Sequence, residues 1–117
     1  MSDFNILHNP RCSKSRQTLE LLQENGVEPN VVKYLETPPS EKEISSIVKL
    51  LGVSPRDILR KKEAEYKESG LDNQDLSDKE VIQLMVKYPK VIERPIVYST
   101  KAAAVGRPPE NVLDIIK

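Results

Sequence analysis

The spacing of apolar residues divides the chain into three stretches. Residues 3–8, Asp-Phe-Asn-Ile-Leu-His, are short, apolar-rich and stopped by Pro10, which predicts a strand. From Ser13 to Asn25, Leu19 and Leu22, with Leu21 beside them, mark a helical face, and Gly26 follows in the C-cap position. Val31 to Leu35 is a β-branched run ended by Thr37-Pro38-Pro39, so a second strand is expected. Strand, helix and strand with short joints form a βαβ unit, which implies parallel strands and a right-handed crossover.

Residues 40–88 read as helical throughout. Ser40-Glu41-Lys42-Glu43 is a capping box, in which serine and glutamate satisfy each other's exposed backbone donors. Ile44, Ile47, Val48 and Leu51 follow at i, i+3, i+4 and i+7, and Gly52 closes the helix. Ser54-Pro55 starts another helix, with proline where its missing N–H costs nothing. Lys62 to Ser69 is expected to be helical up to Gly70, and a second capping box, Ser77 to Glu80, introduces Ile82, Met85 and Val86 on one face. Arg94 to Tyr98 and Ala102 to Val105 then predict a hairpin turning at Ser99-Thr100-Lys101, and Gly106-Arg107-Pro108-Pro109-Glu110 leads into a last helix bearing Val112, Leu113 and Ile116. The order βαβ, helical insertion, ββα is that of an α/β thioredoxin-like fold with a small mixed sheet. Residues 1–117 are expected to form one such domain, with the insertion at about 40–88.

The 117 residues carry 18 basic and 18 acidic side chains, a formal net charge of zero. That balance gives no electrostatic argument for nucleic acid or an anionic membrane surface. One cysteine excludes an internal disulfide, and His8 and Cys12 alone are too few for an ordinary zinc site. With no long apolar run and no signal-peptide shape at the N-terminus, a cytoplasmic monomer is the expectation.

Candidate chemistry gathers at Cys12, in His8-Asn9-Pro10-Arg11-Cys12-Ser13-Lys14-Ser15-Arg16. Free cysteine usually behaves as a small buried hydrophobe. These neighbours do not look like core, and the residue lies where a helix N-terminus directs unpaired N–H groups at the sulfur. Together with Arg11, Lys14 and Arg16, such surroundings take a thiol from a pKa of about 8.5 to roughly 3.5–7.5. The same N-terminus suits an oxyanion. A phosphatase loop would need arginine six residues after the cysteine, where Thr18 stands, and a dithiol redox site would need a cysteine at Ser15. The residues thus describe a monothiol beside an anion site.

The segment HNPRCSKSRQTLELL resembles the signature of the ArsC family, glutaredoxin-coupled arsenate reductases, whose motif His-x3-Cys-x3-Arg is met by His8, Cys12 and Arg16. The resemblance continues through YLETPPS at 34–40, LRKKE at 59–63, ERPIV at 93–97 and VGRPPENVLDI at 105–115, essentially the whole chain. It implies that Cys12 is the nucleophile that forms a thioarsenate, and that Arg60, Arg94 and Arg107 cradle the arsenate oxygens. It also implies that His8 helps depress the cysteine pKa, that the Ser15 hydroxyl bonds the thiolate, and that Pro95 is the cis proline facing the cysteine. Arg16 completes the motif and is as readily structural. Arg94 and Arg107 each precede a proline, which restricts their backbone and so the exit of their side chains. A guanidinium binds oxyanions bidentately and never titrates.

Reducing As(V) to As(III) takes two electrons, and a chain with one cysteine must take the second thiol from outside. Glutathione as co-substrate, then a glutaredoxin to clear the mixed disulfide, is the expected route, with no bound cofactor and no metal. Two alternatives stand beside the reductase: an Spx-like regulator that binds RNA polymerase, and a thiol oxidoreductase acting on another substrate. The former typically carries a Cys-x-x-Cys switch that Ser15 interrupts. A monothiol glutaredoxin-like protein with an iron–sulfur cluster would need a Cys-Gly-Phe-Ser type loop, which Cys12-Ser13-Lys14-Ser15 does not resemble.

Overall fold

In a computed structural model of the chain, which describes residues 4–116, the opening apolar run forms strand β1, Asn5–Leu7. Asp3, included in the expected strand, lies outside the described residues. Helix α1 spans Ser13–Glu24, and strand β2 spans Asn30–Val32. After three helices come β3, Ile96–Tyr98, and β4, Ala103–Val105. The strands form one mixed sheet of order β2-β1-β3-β4, with β1 parallel to β2 and antiparallel to β3, and β3 antiparallel to β4. This is the small mixed sheet of a thioredoxin-like α/β fold.

The chain packs as two compact units. The first takes the chain up to Thr37 and again from Arg94, and holds the sheet and α1. Its register sets Ile6 opposite Val97 and Val97 opposite Ala104, so these side chains share a face. Ile6 and Val97 pack there with Leu22 of α1 and Val112, all fully buried, and with Leu19, Val27 and Ile115 around them. Helix α1 ends as the glycine predicts: Gly26 has φ +78°, and the Val27 N–H reaches back to the Leu22 carbonyl at 2.9 Å.

The second unit, Pro38–Glu93, contains α2 (Glu41–Leu51), α3 (Ala64–Glu68) and α4 (Asp78–Lys87). Both expected capping boxes are present, Ser40 with Glu43 and Ser77 with Glu80. Ile44, Ile47 and Val48 of α2 and Val81, Ile82 and Met85 of α4 are buried, with Leu51 and Val86 at the margin of those faces. Gly52 caps α2 at φ +70°.

Four expectations are corrected. The second strand ends at Val32 rather than Leu35, because the Lys33 carbonyl accepts the Glu36 and Thr37 N–H groups at 2.9 Å and turns the chain. The segment from Pro55 is a four-residue 3₁₀ turn, Pro55–Ile58. The helix expected from Lys62 begins at Ala64, after Glu63 in an extended backbone. The last helix is 3₁₀, Pro109–Asp114, and opens on the Pro108-Pro109 pair, neither of which offers an N–H. Among the described residues no helix is long and apolar enough to cross a membrane.

Candidate active site

Cys12 occupies the N-cap of α1, a position usually held by serine, threonine, aspartate or asparagine. The Asn9 carbonyl accepts the Cys12 N–H at 2.9 Å, and the Asn9 side chain accepts the Arg11 N–H at 3.0 Å, so a tight turn presents the cysteine. Its sulfur closes no capping hydrogen bond, yet the Ser15 and Lys14 N–H groups of the first turn act on it. Burial pushes the thiol up. The Ser15 N–H, the Arg107 and Arg94 guanidiniums and the Lys14 N–H outweigh burial, and the Cys12 pKa falls below its ordinary value. The first turn holds no acidic residue to oppose them.

Arg107 makes the direct contact. Its Nη2 donates to Cys12 Sγ at 3.3 Å while its Nε donates to the Arg94 carbonyl at 2.6 Å. The guanidinium fork is therefore aimed by the backbone of the other candidate arginine. Both arginines precede cis prolines, Pro95 and Pro108. The first was expected from the resemblance; the second was not.

His8 and Ser15 lie beneath this surface. His8 ends β1 and is buried, and its Nδ1 sits 2.6 Å from the hydroxyl of Ser15, which is fully buried on α1. The same hydroxyl accepts the Asn9 N–H at 3.1 Å. Burial, then the charges of Lys33 and Arg16, hold the His8 pKa below the ordinary imidazole value, so near neutral pH the ring carries no charge. Arg16 donates to the Pro10 carbonyl at 2.9 Å and so braces the turn that carries Cys12.

Arg60 belongs to the second unit. There its Nη1 lies 3.2 Å from Glu93 and its Nε 3.4 Å from Glu63, and its backbone N–H donates to Val91 at 2.7 Å. These two carboxylates were not anticipated as its partners. Among the described residues no group of three or more His, Cys, Asp or Glu gathers where a metal ion could be held.

A cysteine at a helix N-cap under an arginine fork has the arrangement that suits a nucleophile next to a place for an oxyanion, and known proteins are similar to this chain throughout. The profile of the ArsC family matches residues 7–115. The chain belongs to the ArsC family. An "Arsenate reductase" of Neisseria meningitidis serogroup A is 48% identical over 113 residues, 96% of this chain and 97% of that one. Escherichia coli K12 "Uncharacterized protein YfgD" is 54% identical over 112 residues, 95% and 94% of the two chains. The solved structure of an "Arsenate reductase from Vibrio cholerae" superposes with a TM-score of 0.91 at 48% identity, covering 97% of each chain.

Three contributors to this ArsC site escaped sequence reasoning. Gly106 presses its backbone against α1 and Pro95, Thr18 receives it, and Asn111 ties down the loop that carries Arg107. One local cue existed, a glycine immediately before Arg107-Pro108.

Proposed function

We propose that this ArsC protein reduces arsenate to arsenite, with Cys12 as nucleophile and glutathione and glutaredoxin as the source of electrons. The observation that carries the reading is the Arg107 fork on the Cys12 sulfur, a positive group placed where both a thiolate and an incoming oxyanion need it. In the first step the Cys12 thiolate attacks arsenic. One arsenate oxygen leaves as water after taking up protons, and a sulfur–arsenic(V) bond forms. Arg107 and Arg94 supply positive charge that binds the remaining oxygens, together with the first-turn N–H groups of α1. The family resemblance assigns Arg60 to the same task.

Next a glutathione thiolate attacks the Cys12 sulfur. The electron pair of the sulfur–arsenic bond passes to arsenic, which departs as arsenite, and a Cys12–glutathione disulfide remains. A glutaredoxin thiolate then attacks the glutathione sulfur and returns the Cys12 thiolate. The outside thiol is required because Cys12 has no second cysteine in its chain.

The test is a coupled assay with arsenate, glutathione, glutaredoxin and NADPH, each omitted in turn. Turnover that needs both glutathione and glutaredoxin and disappears in Cys12→Ser is the expected result. Retained turnover in Cys12→Ser removes the nucleophile assignment. A reactive Cys12 that arsenate protects, without turnover, moves the reading to another oxyanion substrate.

A further inference from the structure

Arg107 can act on Cys12 only if the loop that carries it comes close to α1, and that approach is tight. A β-carbon at Gly106 would lie 2.6 Å from Thr18 Oγ1, 3.0 Å from Thr18 Cγ2 and 2.8 Å from Pro95 Cγ. None of these atoms yields easily. Thr18 is fully buried, β-branched within a helix, and its hydroxyl donates to the Lys14 carbonyl at 2.8 Å. Pro95 is a ring whose carbonyl accepts the Gly106 N–H at 2.9 Å. Only glycine fits, for want of space rather than for its backbone angles.

The loop is held on its other side by one amide. Asn111 Nδ2 donates to the Val105 carbonyl at 3.2 Å and to the Arg107 carbonyl at 3.1 Å, using both of its hydrogens on the two peptides that flank Gly106 and Arg107. From this clamp the Arg107 side chain reaches the Arg94 carbonyl and the thiol.

We propose that Gly106 and Asn111 are positioning residues for the chemistry of Cys12, acting solely by seating Arg107 over its sulfur. Gly106 sets how closely the loop approaches α1, and Asn111 prevents the two carbonyls from rotating away. This inference rests on Cys12 as the reacting group of the proposed function, but not on arsenate as its substrate.

The test follows alkylation of Cys12 by iodoacetamide against pH in the intact chain, for Gly106→Ala, Asn111→Ala, Arg107→Ala and the two double variants with Arg107→Ala. Circular dichroism and urea unfolding run alongside to establish that each variant is folded. Expected for each single variant is a rate about three- to fivefold lower at pH below the thiol titration, recovering to the wild-type rate at high pH where every chain is thiolate. In the Arg107→Ala background neither substitution should slow the reaction further, an extreme of non-additivity that only a shared route through Arg107 produces. Wild-type alkylation in folded Asn111→Ala would overturn the proposal, as would an equal slowing with Arg107 already removed. Should Gly106→Ala fail to fold, Asn111→Ala decides alone. A chain that showed the expected pattern yet did not reduce arsenate would sink the proposed function and leave this inference standing.

Discussion

Replacing Arg107 with alanine removes a unit positive charge 3.3 Å from the Cys12 sulfur. Arg107 is exposed, so solvent screens the pair strongly. With the dielectric constant of bulk water, opposite unit charges at that separation attract by about 1 kcal/mol. Since about 1.4 kcal/mol corresponds to tenfold in an equilibrium constant, the thiolate population at pH below the thiol titration should fall about fivefold. Alkylation by iodoacetamide reads that population directly, because the thiolate is the nucleophile. We therefore expect Arg107→Ala to react about fivefold more slowly at pH below the thiol titration and at the wild-type rate well above it. Raising the salt to 1 M should narrow the gap, as the Debye length shrinks to about 3 Å. Arg107→Lys should recover much of the alkylation rate while losing arsenate affinity, because an ammonium keeps the charge but cannot span the Arg94 carbonyl and a ligand together. An Arg107→Ala profile that superposes on the wild type would refute the reasoning, and the depressed thiol would then have to come from the first-turn N–H groups and Arg94.

Other outcomes follow from single contacts. Ser15→Ala leaves the part-buried Asn9 N–H and the His8 ring without their hydroxyl, and should cost about 1–3 kcal/mol in urea unfolding; no measurable loss would mean that water replaces the hydroxyl. Gly52→Ala forces a β-carbon into a left-handed cap at φ +70° and should destabilise by about 1–2 kcal/mol, whereas an unchanged urea midpoint would deny the cap geometry. His8 is the sole histidine, and its pKa lies below the ordinary value because burial and then Lys33 and Arg16 oppose its charge. The unfolded chain thus binds the proton more readily, so this contribution to stability is full above about pH 6.5 and is lost as pH falls through the folded-state titration; His8→Asn should flatten that part of the stability profile. The Glu80 carboxylate, bonded first by the Ser77 backbone N–H and then by its hydroxyl, titrates below its ordinary value, which carbon-detected NMR should show and Ser77→Ala should reverse only in part, since alanine keeps the N–H.

The capped ends of the longer helices, which depend on nearest neighbours in the chain, were legible. Ser40 with Glu43, Ser77 with Glu80, and the glycines after α1 and α2 announce helix ends through bonds made within a few residues, and those ends formed where expected. Cys12 at a helix N-cap was legible for the same reason, since Pro10 stops a strand just before a helical run begins. The buried face of α1 was less so. Ser15 and Thr18 are polar and fully enclosed together with Leu22, and a reading by hydrophobicity places such residues outside. They are buried because each hydroxyl finds a partner, at His8 and at the Lys14 carbonyl, which hydropathy does not register. The Glu63 and Glu93 partners of Arg60 were hidden likewise, one of them 33 residues away.

The arginines make the larger point about what a motif conveys. As sequence, Arg94-Pro95 and Arg107-Pro108 look like two copies of one device, each delivering a guanidinium to an anion. In the fold their tasks diverge. The Arg94 carbonyl anchors the Arg107 fork, and its side-chain charge acts on the sulfur beside that of Arg107. Substituting the side chain of Arg94 therefore tests only half of what the residue does, because alanine at 94 keeps the carbonyl that aims Arg107. Arg94→Ala should weaken oxyanion binding yet leave the Arg107–Cys12 contact in place, whereas Arg107→Ala removes that contact and should weaken oxyanion binding as well. The asymmetry separates the two positions by experiment: equal losses of thiolate in both variants would show that the direct Arg107–Cys12 contact adds nothing beyond a charge of the kind Arg94 also supplies.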